Sequence, residues 1–239
     1  MKQRLDQATV ARGLVSSRSQ AESYIRLGQV MVNGRVETKA GFLVDDQAII
    51  KVTAEEQYVS RAALKLASVA QALKVDFRGK TVLDVGSSTG GFTEYALKHG
   101  AVKVIAVEVG TNQLHPRLRA DERIELHEQT DIRSFVTDQQ IDVVVADVSF
   151  VSLRELLPHI ATLCNPQTQL VMMAKPQFEA VQESVKHKGV IKNDRLRRDI
   201  LQSFEAWLHH DFRVIDKADS AVAGAKGNRE RFYLLKMVH

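Results

Sequence analysis

A single cysteine, Cys164, occurs in the 239 residues, so no internal disulfide can form. A small scaffold stapled by disulfides is excluded. No stretch approaches the roughly 20 apolar residues that cross a bilayer, and Met1 to Asp6 lacks the apolar run of a signal peptide. A soluble, cytoplasmic protein without a membrane partner is the expectation. The eight histidines show no ligand spacing with one another or with Cys164, so no metal is expected.

Apolar residues make up 44% of the chain, enough for a core. The length suits one large domain, or a medium domain with a small one. A net charge of +4 suits a polyanionic partner, although an ordinary soluble protein accounts for it equally well. The excess is uneven. Residues 1–52 carry eight basic and five acidic side chains, a net +3.

Residues 1–52 read as a separate unit. A helix is expected from Arg4 to Leu14, with Leu5, Val10 and Leu14 apolar and Gly13 near its end. Ser17 with Gln20 forms a capping-box pattern that opens a second helix, which Gly28 ends. Asn33-Gly34 between apolar segments is a hairpin signal, and Ala48 to Val52 supplies another strand. Arg4, Arg12, Arg18 and Arg26 are candidate phosphate contacts, set against the plainer reading of a solvated helical face. The order Arg4-Leu5-Asp6, Ser17 to Ala21, Ile25 to Val30 and Val32-Asn33-Gly34 resembles the S4 RNA-binding domain. The resemblance implies recognition of structured RNA by shape and backbone.

Residues 53–58 are polar and read as a linker, and residues 59–239 as a second domain. A helix is expected from Val59 to about Leu73. Apolar β-rich runs follow at Thr81 to Gly86, Val104 to Glu108, Val143 to Asp147, Leu170 to Ala174, Arg213 to Ile215 and Arg231 to Leu235, several of them separated by helical segments. This is the pattern of an α/β fold with a mostly parallel sheet, whose ligands sit beyond the carboxyl ends of the strands.

The loop Gly86-Ser87-Ser88-Thr89-Gly90-Gly91 follows the first of these strands, and a helix from Phe92 to about His99 follows the loop. It lacks the lysine of a P-loop and the glycine spacing of a dinucleotide site, which disfavours a dehydrogenase. The acid Asp84 precedes its first glycine. That suits S-adenosyl-L-methionine (SAM), which has a cationic amino-acid end and no phosphate. Asp84 and Asp147 offer it negative charge, Glu108 is placed for ribose hydroxyls, and Asp131-Ile132 for adenine. The candidate cofactor set is Asp84, Gly86, Ser87, Ser88, Thr89, Gly90, Gly91, Phe92, Thr93, Glu108, Asp131, Ile132 and Asp147.

Five segments stand in order: Ser60 to Leu66, Leu83 to Thr93, Ala146 to Phe150, Lys175 to Glu179 and Gly227 to Glu230. Together they resemble the TlyA-type, hemolysin A-like family, which joins an S4 domain to an FtsJ-like, Rossmann-type ribose methyltransferase domain. Family members often carry glycine where this chain has Ala62-Ala63. The resemblance implies SAM-dependent 2′-O-methylation of ribosomal RNA or ribosomal subunits, at cytidine, by a tetrad of Lys65, Asp147, Lys175 and Glu230.

The chemistry makes independent sense. A ribose hydroxyl needs a base, and a free lysine of pKa about 10.4 is protonated at neutral pH. A second ammonium and desolvation lower it, at a cost of about 4 kcal/mol to reach a working range. Lys175 is read as the base, Lys65 as orienting the hydroxyl, Asp147 as positioning Lys175, and Glu230 as holding Lys65. The two lysines can exchange roles. Core packing is the expected role of Phe178, with base stacking the alternative. The basic stretch Lys186 to Arg198, with Lys188 and Arg195, is expected to grip RNA or to form a basic solvent face. A non-catalytic RNA-binding assembly factor and, less favoured, a membrane-lytic protein are the competing readings.

Overall fold

The computed structural model describes residues 2–54, 57–180, 189–224 and 227–238. The N-terminal unit runs β1 (Gln3–Arg4), α1 (Leu5–Ala11), α2 (Arg18–Arg26), β2 (Val30–Val32), β3 (Arg35–Val36), β4 (Leu43–Val44) and β5 (Ile50–Val52). The strands β3, β2 and β5 form one small antiparallel sheet, while β1 pairs with β4. The hairpin turns through Asn33 (φ 49°) and Gly34 (φ 79°), both left-handed, as a two-residue turn between twisted strands requires. Leu5, Ala8, Ala21, Tyr24, Ile25 and Val30 are fully buried beneath the two helices.

The second unit runs α3 (Arg61–Ala70), β6 (Thr81–Val85), α4 (Gly91–Lys98), β7 (Lys103–Val107), α5 (Pro116–Arg119), β8 (Ile124–His127), β9 (Val143–Ala146), α6 (Leu153–Thr162), β10 (Gln169–Ala174), α7 (Pro176–Glu179), α8 (Asp194–Leu208), β11 (Phe212–Asp219) and β12 (Arg231–Met237). Its seven strands lie in the order β11-β12-β10-β9-β6-β7-β8. The run from β10 to β8 is parallel, and β12 is antiparallel to both its neighbours.

Successive strand residues point to opposite faces, and both faces are apolar. Val82, Val104, Val143 and Val171 enter one core, while Leu83, Ile105, Val144 and Leu170 enter the other. Two-sided burial explains why these strands read as continuous apolar runs. The first core also holds Leu5, Tyr24 and Ile25, so the N-terminal unit packs into the same apolar mass as α3 and α4. The chain order reverses between β6 and β9, and the loops leaving their carboxyl ends diverge to open a crevice.

Several expected boundaries move. Arg4 belongs to β1, where it pairs with Leu43, and the first helix ends at Ala11 before Gly13 (φ 68°). The helix α3 starts two residues late because Ser60 caps it, accepting a hydrogen bond from the Ala62 amide at 3.3 Å. Ser17 caps α2 as expected, but the Gln20 side chain accepts from the Ser16 amide and hydroxyl instead of closing the box. Its amide nitrogen donates to the Tyr58 carbonyl at 2.6 Å and so ties α2 to the connecting segment.

Candidate active site

The strand β6 brings Asp84 to the crevice at 1% exposure. Its Oδ2 accepts from the Thr93 hydroxyl at 2.6 Å, while Oδ1 is buried with no hydrogen-bond partner among the described residues. Burial pushes the carboxyl up to about 7, helped by the negative charges of Asp147 and Glu108. The Ser87 hydroxyl is likewise buried and unpartnered among the described residues. An acid and a hydroxyl awaiting partners fit a cationic amino-acid end of the kind SAM carries. A Cβ on Gly91 would lie 2.4 Å from Ser60 Oγ and 2.9 Å from the Ala63 amide nitrogen, so this position admits only glycine if α3 is to sit against the loop.

A cavity of about 460 Å³ lies over the crevice, lined among others by Lys65, Asp84, Ser87, Asp147, Lys175 and Glu230. A neighbouring cavity of about 440 Å³ is lined among others by Val107, Glu108, Asp131 and Ile132. The two share Gly86, Ser88, Asp147, Ser149 and Phe150 and so form one groove. Thr89 and Phe92 line the first cavity. Gly90, Gly91 and Thr93 line neither, and Thr93 acts through Asp84. Glu108 accepts from the Ser88 amide at 2.9 Å and the Gly110 amide at 2.7 Å, which fixes the loop to the end of β7. Asp131 caps the 3₁₀ turn Ile132–Ser134 and pairs with Arg133, which holds its carboxyl down to about 2.

The four expected catalytic side chains converge. Lys65, on the second turn of α3, lies 2.6 Å from Glu230 and 3.7 Å from Asp147. Lys175, at the end of β10, lies 2.6 Å from Asp147. Asp147 therefore bridges two ammonium groups. Burial alone would raise its carboxyl, but Lys65 and Lys175 together hold it below the ordinary range. Lys65, Lys175 and Glu230 are all buried.

The structure adds residues to which the sequence reading gave no role. Ser149 accepts a hydrogen bond from Lys175 Nζ at 2.7 Å. Asn228 accepts from the Ile191 amide at 2.8 Å and donates to the Gly189 carbonyl at 2.9 Å, pinning the segment that borders the cavity. Phe150 is 92% exposed at the mouth, with its ring 5.4 Å from that of Phe178. Phe178 is thus half-buried at the rim rather than in a core. Ser149, Phe150 and Asn228 fall inside the recognised motifs, but their side-chain contacts left no signal there.

The expected RNA contacts divide. Arg4 and Arg18 both bind the buried carboxylate of Asp6. Arg12 donates to the carbonyls of Asp45, Asp46 and Ala48. These three hold the N-terminal unit together. Arg26 and Arg195 are exposed. Lys188 lies outside the described residues. Among those residues no group of three or more metal-ligating side chains occurs, and no helix is long and apolar enough to cross a membrane.

Comparison with known proteins gives the family of the chain. The profile of the FtsJ-like methyltransferase family matches residues 58–237, and that of the S4 domain matches residues 3–50. The chain is 39% identical to the Hemolysin A of Brachyspira hyodysenteriae, covering 95% of this chain and 97% of the other. It is 35% identical to the 16S/23S rRNA (cytidine-2′-O)-methyltransferase TlyA of Mycobacterium tuberculosis, covering 98% and 89%. A solved hemolysin-type chain from Streptococcus thermophilus superposes with a TM-score of 0.73 at 34% identity, covering 99% and 88%. The chain belongs to the FtsJ-like methyltransferase family, with an S4 domain ahead of its catalytic fold.

Proposed function

We propose that this enzyme methylates a ribose 2′-hydroxyl of ribosomal RNA, at cytidine, in the cytoplasm. Residues 1–52 bind the RNA, residues 53–58 connect, and residues 59–239 carry out the transfer. The observation that carries the reading is the Lys65–Asp147–Lys175 bridge in the same cavity as Asp84. Relatives named as cytidine-2′-O-methyltransferases support the substrate.

SAM, when bound, supplies a methyl group already activated on a sulfonium. Asp84 and Ser87 would hold its amino-acid end, while Glu108, Asp131 and Ile132 line the half of the groove that would take its adenosine. Glu230 fixes Lys65, which orients the ribose hydroxyl. Lys175, held by Asp147 and Ser149, would take the hydroxyl proton in its neutral amine form, after giving up the proton that pairs it with Asp147. General-base catalysis of this kind contributes about 10²–10⁴ in rate.

The test is methyl transfer from labelled SAM to ribosomal RNA lacking the modification, with Lys175→Ala in parallel. The expected result is a labelled 2′-O-methylcytidine with wild type and a loss of at least about 100-fold in the variant, with SAM binding kept. SAM binding without transfer by wild type would overturn the substrate. Absence of both would leave an RNA-binding assembly role.

A further inference from the structure

Between the N-terminal unit and α3 lies a second, separate groove of about 280 Å³. Its walls include Ser23, Arg26 and Glu22 of α2, Arg61 of α3, and the segment Val222–Gly224, with the Glu22 carboxylate 3.6 Å from Arg18. Arg61 also lines the catalytic cavity, so the two spaces meet at its side chain. Among the described residues neither Arg26 nor Arg61 has a hydrogen-bond or ion-pair partner for its guanidinium. Arg4, Arg12 and Arg18, by contrast, are all committed to protein acceptors. A guanidinium is built to bind phosphate through paired donors.

The register on α3 places this charge usefully. Arg61 stands four residues before Lys65, one helical turn away on the same face, with Cβ atoms about 5–6 Å apart. Arg61 lines both cavities, and its charge helps to hold the Asp147 carboxyl down, so it stands between the catalytic residues and the N-terminal unit. The opposite wall is coupled to the same lysine. A Cβ on Gly224 would lie 2.7 Å from Glu230 Oε1, and Glu230 pairs with Lys65.

We infer that Arg26 and Arg61 together grip one RNA phosphodiester flanking the target ribose, so that one phosphate spans both domains. The inference rests on the reading of an RNA substrate and names a subsite for it. Both domains then share one ligand, and docking of the first sets the register of the second.

The test measures affinity for an unmodified ribosomal RNA transcript against salt concentration, for wild type, Arg26→Ala, Arg61→Ala and the double variant. Arg61→Lys and Arg78→Ala accompany them, with melting curves to confirm folding. Arg78 pairs with Asp76 ahead of β6, at the far end of the sheet. Each single alanine variant is expected to raise Kd for RNA about tenfold. The double variant is expected to lower the salt slope by one phosphate, ~0.7–0.9. Arg61→Lys keeps the slope, and Arg78→Ala changes nothing. An unchanged slope and Kd overturns the subsite, and a loss of two phosphates with additive effects overturns the shared grip. The binding arm needs no turnover. If wild type binds with the arginine-dependent slope yet transfers no methyl, the proposed reaction fails and the subsite stands.

Discussion

A buried carboxylate lies at the centre of the cofactor side. Asp84 is pushed up to about 7 and, among the described residues, is hydrogen-bonded only through Oδ2. Relative to an ordinary aspartate near 3.9, that shift corresponds to about 4 kcal/mol. Because the folded-state value is raised, the group's contribution to stability is present below about pH 4 and is lost as pH rises through about 7. Asp84→Asn is therefore expected to raise the melting temperature of the SAM-free protein at pH 8 and to do little at pH 4. It should also weaken SAM binding about 100-fold, measured by calorimetry. In wild type, SAM affinity should fall by up to tenfold per unit below about pH 7. A SAM affinity flat from pH 5 to 8 would show that Asp84 is not the partner of the cation. Ser149 gives a second prediction. Ser149→Ala removes one hydrogen bond from Lys175 and is expected to lower kcat about tenfold at unchanged KM for RNA, with recovery in Ser149→Thr. Asp84 was legible because an acid in an apolar strand demands a reason. Ser149 was not, because a serine in a loop carries no such demand.

At the scale of elements, the loop after β6 depends on a backbone contact. Gly91 lets α3 lie against the start of α4, and α3 carries Lys65. Gly91→Ala forces a shift against the backbone of Ala63 and is expected to cost about 1–3 kcal/mol and to reduce kcat, both seen by melting and steady-state kinetics. Wild-type stability and turnover in the Gly91→Ala variant would show that α3 is free to move. The central strands β6, β7, β9 and β10 were legible because burial on both faces leaves unbroken apolar runs. The two-residue strands β1 and β4 were not, since two residues carry no period. The edge strand β11 is longer than its apolar run because much of it is exposed and a register shift separates Val214 from Asp216. Helix ends were misplaced by two or three residues where a cap, such as Ser60, decided the start rather than the apolar pattern.

Across the whole molecule, the two units share a core and a polar tie. Gln20 is 4% exposed and donates to the Tyr58 carbonyl. Tyr58 in turn packs on Tyr95 of α4 at 5.9 Å between ring centroids. Gln20→Ala removes that hydrogen bond and is expected to cost about 1 kcal/mol. Because the core is continuous, the loss should appear as one shifted transition in a thermal melt, and two separated transitions would contradict a shared core. The charge excess of residues 1–52 was legible, but its use was not. Composition counts Arg4, Arg12 and Arg18 alike with Arg26, while the fold assigns the first three to Asp6 and to backbone carbonyls. The same blindness applied to Arg61, whose value depends on two cavities meeting at one side chain.

The central claim is that the methyl group lands on ribose oxygen rather than on a base. The measurement that tests it most directly is alkaline hydrolysis of RNA labelled by the wild-type enzyme, because a 2′-O-methyl group blocks cleavage of the adjoining phosphodiester. The account predicts that the label is recovered in an alkali-resistant dinucleotide containing cytidine. Label recovered in a mononucleotide would place the methyl on a base and would contradict the role given to Lys65, Asp147, Lys175 and Glu230.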